Sequence, residues 1–278
     1  MNRAERARLA AETDQVVVVG RYSVDDIEVE FGEALAGAIG ATHLHEPDEP
    51  IDVAASRSGH DRTATVEVTA ETTLEASERL VRQHGPEVAC LNFASAKNPG
   101  GGYRGGSQAQ EESLARSSAL VACQESAPDF YARHRRLGHP AYTDTVLCSP
   151  AVPVFRRDSG ALLKEPYQLS MITCAAPNAR ALLDRGWSGD LEAIFVQRGR
   201  RVIEAAISHG WTRLVLGAWG CGVFGNEPST VARAFRSILG DPILSDRLAV
   251  TFAIYDPRPG APALTAFRAV FPGGHGHD

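Results

Sequence analysis

The run VACLNFA, at residues 88–94, decides the fold class of this chain. It is mostly apolar, and it lies between Gly85-Pro86 and a glycine-rich loop that begins at Asn98. A short apolar run with such boundaries fits a strand that is buried on both faces. Strands of this kind occupy the centre of α/β sheets, so we predict a central strand here.

Further strand and helix patterns alternate on either side of this run. Helices are predicted at residues 2–12, 73–84, 110–123, 191–208, 229–239 and 263–270. Strands are predicted at residues 15–20, 64–68, 146–147, 152–155, 170–173, 213–216 and 248–254, and a polar loop at residues 56–62. This alternation indicates an α/β fold with helices on both faces of the sheet.

The length of 278 residues fits one large α/β unit. We predict a single domain over residues 1–272, in which residues 1–60 form an accessory N-terminal extension of helix and strand. The last residues, 273–278, are predicted to be a disordered tail.

Composition excludes several classes of protein. A net charge of −6 and a pI near 5.9 argue against binding to duplex nucleic acid, which needs a basic face. No apolar stretch is long enough to span a bilayer, and the charged start has no apolar segment of a secretory signal behind it. Five widely spaced cysteines without a C-x-x-C pair indicate reduced thiols, and we expect a cytoplasmic protein that contacts no membrane.

The first glycine loop is NPGGGYRGGS, at residues 98–107. Three consecutive glycines let the backbone approach a ligand closely and expose its N–H groups to oxyanions. A merely flexible turn is the alternative. The position between a buried strand and a helix favours a ligand site, because ligands bind at the carboxyl ends of strands in open α/β sheets.

The second glycine loop is GAWGCGVFGN, at residues 217–226, which also follows an apolar run. Gly220, Gly222 and Gly225 match G-x-G-x-x-G, a pattern that by itself is a weak sign of dinucleotide binding. The loop lies late in the chain, and no clear βαβ unit with a ribose-binding acid follows it. We predict a phosphate-binding loop without nicotinamide chemistry, and the two loops together predict a diphosphate ligand with sugars on either side.

A pair of acids opens the helix after the first loop, in the sequence Gln110-Glu111-Glu112. Acids in a first helical turn are favoured by the helix dipole, by ~0.3–1 kcal/mol, so a structural cap is the alternative explanation. Adjacent helical positions point about 100° apart, so one carboxylate could face a ligand while the other holds another edge of it. A carboxylic acid with a raised pKa can protonate a leaving oxygen, as in glycosidic cleavage.

These residues resemble a known family. The run GGG at 100–102, seven residues, and then QEE at 110–112 is similar to the GGG…QEE signature of poly(ADP-ribose) glycohydrolases. The runs LNFASAKNP (91–99), SPAVPV (149–154), AAPN (175–178) and LGAWGCGVFGN (216–226) resemble the short bacterial and fungal branch of that family. The resemblance extends from about residue 10 to residue 271.

The resemblance implies a fold, a reaction and a set of site residues. The fold is a macrodomain-like three-layer α/β/α sandwich with a mixed central sheet and an N-terminal helical and strand extension, without metal or cofactor. Glu112 would protonate the 2′ leaving oxygen and then activate water, and Glu111 would bind ribose groups at the scissile linkage. The implied substrate-binding residues are Asn98, Gly100, Gly101, Gly102 and Gln110 on the first loop side, and Gly220, Cys221, Gly222, Val223, Phe224 and Gly225 around the diphosphate.

The implied reaction is hydrolysis of ribose–ribose O-glycosidic bonds in poly(ADP-ribose), with ADP-ribosylated proteins as substrates of a monomeric enzyme. Two alternatives stay open: an ADP-ribose-binding reader without activity, and a hydrolase of mono-ADP-ribose on proteins. The intact acid pair argues against a reader, which needs no acid. A nicotinamide oxidoreductase is a more distant alternative.

Several other residues invite a functional reading. Cys221 is not expected to be a nucleophile, because no histidine is near it in sequence. Tyr255 and Asp256 are candidates for the adenine pocket. His43, His45, His275 and His277 are interpreted as surface histidines rather than metal ligands, the basic run at 133–136 as a solvated helix face, and Trp219 as packing beneath the second loop.

Overall fold

A computed structural model describes residues 1–53, 65–245 and 248–273. The predicted loop at 56–62 and residues 274–278 of the predicted tail lie outside these ranges. The helices are α1 Arg3–Val19, α2 Gly32–Ala41, α3 Thr73–His84, α4 Gln110–Ser117, α5 Leu120–Glu125, α6 Pro128–Leu137, α7 Ala179–Leu183, α8 Leu191–Ser208, α9 Pro228–Leu239, α10 Pro242–Ser245 and α11 Pro262–Val270. The strands are β1 Arg21–Val24, β2 Ile27–Glu30, β3 His43–His45, β4 Thr65–Thr69, β5 Val88–Phe93, β6 Val146–Arg156, β7 Leu162–Cys174, β8 Arg213–Leu216 and β9 Ala249–Ala253.

Seven strands form one mixed sheet in the order β3-β6-β7-β5-β8-β9-β4, and β1 and β2 form a separate hairpin. Strands β7, β5, β8, β9 and β4 run parallel, whereas β6 is antiparallel to both β7 and β3. Apolar side chains of α8, α9 and α11 pack on one face of the sheet, and those of α2, α3, α4 and α5 on the other. The predicted three-layer α/β/α sandwich with a mixed central sheet is confirmed.

Strand β5 lies in the middle of the sheet, as its sequence predicts. Its residues from Val88 to Asn92 are all buried. Ala89 and Leu91 contribute to the core on one face, while Val88 and Cys90 contribute to the other. After β5 the chain adds β6 and β7 on one side and then returns to place β8 on the other, so β5 is a switch point of the sheet. The loops that follow β5, β7 and β8 therefore meet at one edge.

The strand predicted at residues 15–20 is wrong, because α1 continues through Val19. A capping box at Asn2 and Glu5 starts this helix, and Gly20 ends it with a left-handed φ of 75°. Val18 is 86% exposed, so the valine run does not form a buried strand. The helix propensity of valine is lower than that of alanine by less than about 1 kcal/mol, which the helix tolerates.

The single helix predicted at residues 110–123 is also wrong. Helix α4 ends at Ser117, and α5 begins at Leu120. Ser118 has an extended backbone and bridges to Val154 of β6, and the N–H of Ala119 donates to the carbonyl of Pro153 at 3.0 Å. Pairing with a strand distant in sequence breaks the helix, and no glycine or proline marks the position.

Most other predicted elements are confirmed within a few residues, and α3 and α8 have the predicted bounds. The strands predicted at 146–147 and 152–155 are one strand, β6, which contains a bulge between Ser149 and Val152. Ala151 takes a left-handed φ of 53° there. The hairpin β1–β2, helices α2, α7 and α10, and strand β3 were not predicted.

Two predictions about surface residues also need correction. His45 is not a surface histidine, because it is only 8% exposed. The basic run at 133–136 is a solvated helix face only in part: His134 is fully buried, Arg133 pairs with Glu46, and Arg135 donates to the carbonyl of Lys97 at 2.6 Å. The ring of His134 contacts the carbonyl of Phe130 and the hydroxyl of Thr143, so this residue lies on the buried face of α6. Over the described ranges, the helices are too short or too polar to cross a membrane.

Candidate active site

Glu111 lies at the carboxyl end of β5, in the first turn of α4, and is only 3% exposed. Its Oε2 accepts a hydrogen bond from the N–H of Ser95 at 2.6 Å. Its Oε1 accepts from the side-chain amides of Asn92, at 3.2 Å, and Gln124, at 3.0 Å. Both amide groups also donate to the hydroxyl of Thr173 on β7. Three elements therefore hold this carboxyl group in one orientation.

The surroundings of Glu111 change its acidity. Burial raises its pKa from 4.5 to about 8, the negative charge of Glu112 acts in the same direction, and the three hydrogen bonds oppose the change. Burial disfavours the charged form more strongly than three donors favour it. The neutral acid therefore predominates at neutral pH.

Glu112 lies over the glycine loop and is partly exposed. Its Oε1 accepts a hydrogen bond from the N–H of Gly102 at 3.0 Å. A Cβ on Gly101 would lie 2.5 Å from this oxygen and 3.0 Å from Oε2 of Glu111. Gly101 also has a left-handed φ of 59°. Two carboxyl groups thus face the same space above Gly101, which only a glycine leaves open.

The N–H groups of the glycine triplet already have acceptors within the protein. Gly100 donates to Oε1 of Gln124 at 2.7 Å, Gly101 to the carbonyl of Asn98 at 3.0 Å, and Gly102 to Glu112. The visible role of the glycines is to leave space and to fold the turn. We also predict that the glycine backbone and the exposed side chain of Asn98 bind the substrate, and this stays a prediction.

Gln110 positions α4 rather than facing the space above Gly101. Its side-chain carbonyl accepts from the N–H of Phe93 at 2.9 Å, and its amide donates to the carbonyl of Leu91 at 2.8 Å and to Thr73 at 3.2 Å. These bonds fasten the start of the helix to the end of β5. Its predicted contact with substrate has no support from this geometry.

Helix α1 fastens the outer half of the first loop. Arg3 and Arg6 donate to the carbonyls of Gly105 and Gly106, at 2.9 and 2.8 Å. The carboxylate of Asp14 accepts from the hydroxyl of buried Tyr103 and from Arg104, the latter at 2.8 Å. The N-terminal extension is therefore part of the scaffold of the site.

The second glycine loop follows β8 and is anchored to the loop that follows β7. Asn226 donates to the carbonyl of Pro177 at 2.8 Å and to that of Gly220 at 3.0 Å. Gly220 has a φ of 75°, and a Cβ there would lie 2.6 Å from both Ala176 and Asn226. The base of this loop is therefore tightly packed.

The tip of the second loop presents free backbone donors. Among the residues that the structure describes, the N–H groups of Gly222, Val223 and Phe224 have no acceptor. Gly222 and Val223 are exposed, and Phe224 packs against Tyr142 with ring centroids 6.0 Å apart. Gly225 closes the turn by donating to the carbonyl of Gly222 at 3.1 Å. Successive free N–H groups form the kind of concavity that binds an anion.

The remaining candidate residues, Cys221, Trp219, Tyr255 and Asp256, lie outside the acid pair. Burial raises the pKa of Cys221 to about 12, which supports the prediction that it is not a nucleophile. Trp219 is fully buried below the second loop and donates to the carbonyl of Cys174 at 3.1 Å. Asp256 accepts from Arg258 and from the N–H of Ala263, while Tyr255 is exposed. The adenine pocket stays a prediction.

Sequence reasoning missed the residues that support the carboxyl pair: Asn92, Ser95, Gln124 and Thr173. Asn92 offered a signal, because it is a polar residue in an otherwise apolar run that is predicted to be buried. A buried polar group needs hydrogen-bond partners, so a functional or supporting role was inferable. Gln124 and Thr173 carry no such signal.

A mixed seven-stranded sheet between two helical layers, with glycine loops at its carboxyl edge and two acids over one of them, defines a macrodomain-like enzyme. The catalytic-domain model of the microbial-type poly(ADP-ribose) glycohydrolases (PARG) matches residues 10–157. The chain belongs to this family, and it is a glycosidase.

Solved structures agree with this assignment. Poly(ADP-ribose) glycohydrolase from Thermomonospora curvata is 44% identical, with a TM-score of 0.91 over 97% of this chain and 100% of that one. The same enzyme bound to the inhibitor ADP-HPD has a TM-score of 0.88 at 44% identity, over 96% of this chain and 99% of that one. The enzyme from Deinococcus radiodurans in complex with ADP-ribose is 43% identical, with a TM-score of 0.80 over 86% of this chain and 97% of that one. No curated protein matches significantly.

Proposed function

We propose that the protein hydrolyses the ribose–ribose O-glycosidic bonds of poly(ADP-ribose) and releases ADP-ribose, with Glu112 as the acid and base. The observation that carries the proposal is the position of the Glu112 carboxyl group. It lies over Gly101, beside the held and buried Glu111, in a space kept open by the absence of a Cβ. ADP-ribosylated proteins are the proposed carriers of the polymer.

In the proposed reaction, Glu112 donates its proton to the 2′ oxygen of the leaving ribose as the glycosidic C–O bond breaks. Positive charge develops on the other ribose in an oxocarbenium-like transition state. The Glu112 carboxylate then takes a proton from a water molecule, whose oxygen bonds to the anomeric carbon. One water is consumed, and Glu112 returns to its starting protonation state.

Glu111 contributes orientation. Its carboxyl group is fixed by Ser95, Asn92 and Gln124 and is largely neutral because burial raises its pKa to about 8. A neutral carboxyl group can both donate to and accept from ribose hydroxyl groups. It thus holds the sugar at the scissile linkage without adding a second negative charge beside Glu112.

The second loop is the proposed diphosphate site. Among the described residues, the N–H groups of Gly222, Val223 and Phe224 have no acceptor and can donate to phosphate oxygens, which suits a protein of net charge −6. The guanidinium of Arg180 lies beside the same loop, because its Nε and Nη2 are 3.7 and 3.8 Å from where a Cβ on Gly225 would lie. The ADP-ribose and ADP-HPD complexes of the bacterial relatives support an ADP-ribose unit as the ligand of this protein.

The test compares wild type with Glu112→Gln on protein-attached poly(ADP-ribose), with products resolved by chromatography. We expect kcat of the variant to fall by ~10²–10⁴-fold, because that is the usual contribution of a positioned acid or base. ADP-ribose should bind both proteins equally well in calorimetry. Glu33→Gln is the matched control, since Glu33 is an exposed acid in the first turn of α2.

Other outcomes point to other functions. Binding without release by wild type would indicate a reader, and removal of single ADP-ribose units with intact polymer would indicate a mono-ADP-ribosyl hydrolase. If Glu112→Gln retains full turnover, the acid role is wrong and the acid pair is a helix cap.

A further inference from the structure

A second cluster of reactive side chains lies away from the glycine loops. His45 ends edge strand β3, Cys148 lies on the adjacent strand β6, and His209 follows the end of α8. One ligand atom from each, the two ring nitrogens and the sulfur, lie within 4.8 Å of one another. Antiparallel pairing of β3 with β6, in which His43 is opposite Cys148, brings the strand residues together.

His45 is the unusual member of this cluster. It is 8% exposed, and among the described residues neither of its ring nitrogens has a hydrogen-bond partner. Leaving a buried polar group unpaired costs ~1–3 kcal/mol, so native proteins rarely do so. A bound metal ion would give one of these nitrogens a partner.

Aromatic packing is the simpler explanation for these rings. His209 stacks on Trp211 with centroids 4.5 Å apart, and its ring lies edge-on to His45 at 5.9 Å. Packing accounts for the ring positions, yet it leaves both nitrogens of His45 without a partner. It also gives no reason for a thiol to lie beside two imidazoles.

We propose that His45, Cys148 and His209 bind a Zn²⁺ ion that ties β3 to β6 and to the end of α8. Two imidazole nitrogens and a thiolate are ligands that Zn²⁺ prefers, at ~2.0–2.3 Å, so the side chains must draw together by small rotations. Cys148 is fully buried. On binding, its sulfur forms the Zn–S bond and its proton passes to solvent.

A second set of ligand atoms shares His45. One ligand atom each of His43, His45 and Glu49 also lie within 4.8 Å of one another. The first set is favoured because it offers a thiolate and is more deeply buried. Arg201 is a nearby cation that opposes metal binding. Its guanidinium donates to the carbonyls of Glu46 and Glu49, at 2.5 and 3.0 Å.

The ion would have a structural role, independent of the proposed reaction. Successive residues of a strand point to opposite faces, and on β6 Leu147 packs with Phe130 and Tyr131 whereas Cys148 belongs to the core of the other face. Strand β3 is the outermost strand of the sheet and lies within the N-terminal extension. A metal at this position fixes that extension to the sheet.

The test is titration of the chelator-treated, reduced full chain with Co²⁺ and Zn²⁺. One equivalent of Co²⁺ should produce a thiolate-to-metal charge-transfer band, which Zn²⁺ then removes. Zn²⁺ at about a hundredfold excess over Kd should raise the Tm by roughly 5 °C. Cys148→Ala should abolish the band, and His209→Gln, at a solvent-accessible position, should weaken metal binding at least tenfold.

Two control variants make the result specific. Cys90→Ala removes a buried thiol from the opposite face of the sheet, and the band should persist in it. His43→Ala should also keep the band. A different result would favour the His43, His45 and Glu49 set: metal binds without a charge-transfer band, and this binding is lost in His43→Ala. That result would overturn the proposal. Absence of stoichiometric binding would overturn both.

Discussion

Glu111 and Glu112 are adjacent in sequence, yet their carboxyl groups have opposite surroundings. Glu111 turns inward to Ser95, Asn92 and Gln124, while Glu112 remains partly exposed over the glycine loop. A rotation of about 100° between neighbouring helical positions is sufficient to separate them in this way. One acid can therefore hold a sugar while the other exchanges protons with it.

The raised pKa of Glu111 predicts a pH-dependent stability. The folded protein keeps this proton up to about pH 8, whereas the unfolded chain releases it near the ordinary value of 4.5. The stability that the proton gives is complete below pH 4.5 and is lost as the pH rises to about 8. The loss is on the order of 5 kcal/mol, since one pKa unit corresponds to ~1.4 kcal/mol.

Urea denaturation of wild type and Glu111→Gln across this range measures the effect. The amide does not titrate, so the stability of wild type should fall relative to the variant as the pH rises. Glu33→Gln, in which an exposed acid is replaced, should follow wild type. Parallel curves for wild type and Glu111→Gln would contradict the raised pKa.

Gly101→Ala should remove most of the activity, because its Cβ would lie 2.5 Å from Oε1 of Glu112. We expect kcat/KM to fall by about 100-fold, the usual result of displacing a catalytic group by an ångström. Gly138→Ala is a matched control: its φ of 60° gives the same backbone strain, and among the described residues its Cβ would meet nothing within 4 Å. Equal loss of activity in the two variants would show that strain alone is responsible.

Among the elements, α1 has a larger role than a terminal helix usually has. Asp14→Ala removes the acceptor of buried Tyr103 and one of the two carboxylates that Arg104 contacts, the other being Glu125. We expect a loss of ~1–3 kcal/mol in stability, because a buried hydroxyl is left unpaired, and roughly a tenfold fall in kcat/KM as the loop loosens. Arg21→Ala, which breaks exposed ion pairs with Glu28 and Glu30, should change neither quantity in the same assays. Unchanged turnover in Asp14→Ala would separate α1 from the site.

The break between α4 and α5 is the second element that shapes the site. In one continuous helix, Gln124 would lie about 20 Å along the axis from Glu111, at 1.5 Å per residue. The break at Ser118 and Ala119 turns α5 back, so that Gln124 contacts both Glu111 and Gly100. The bridge to β6 thus brings the glycine loop and the buried acid together.

For the whole molecule, the described part of the N-terminal extension, residues 1–53, has no separate core. Tyr22 and Phe31 pack against Phe155 of β6, with ring centroids 5.8 and 5.2 Å apart. The hydroxyl of Tyr22 donates to the carbonyl of Leu163 at 2.5 Å. The extension and the sheet share these interior contacts, so neither buries its apolar surface alone.

We therefore expect a single cooperative transition in differential scanning calorimetry, with equal calorimetric and van't Hoff enthalpies. Tyr22→Ala should lower the Tm of this transition without splitting it, because the loss affects one shared core. Two transitions in calorimetry would show that the extension folds as a unit of its own.

We also expect the protein to be a monomer. Light scattering during elution from a sizing column should give a mass of 29.7 kDa.

The sequence by itself determined the central strand, most of the helices, both glycine loops and the acid pair. Each depends on local patterns: an apolar run between breakers, helical periodicity, or glycines next to a strand end. Only the tertiary structure decided which of these residues meet. Strand pairing over long separations broke the helix at Ser118, placed Gln124 and Thr173 against Glu111, and buried His45 beside Cys148. Such contacts join segments far apart in the chain, and no local periodicity encodes them.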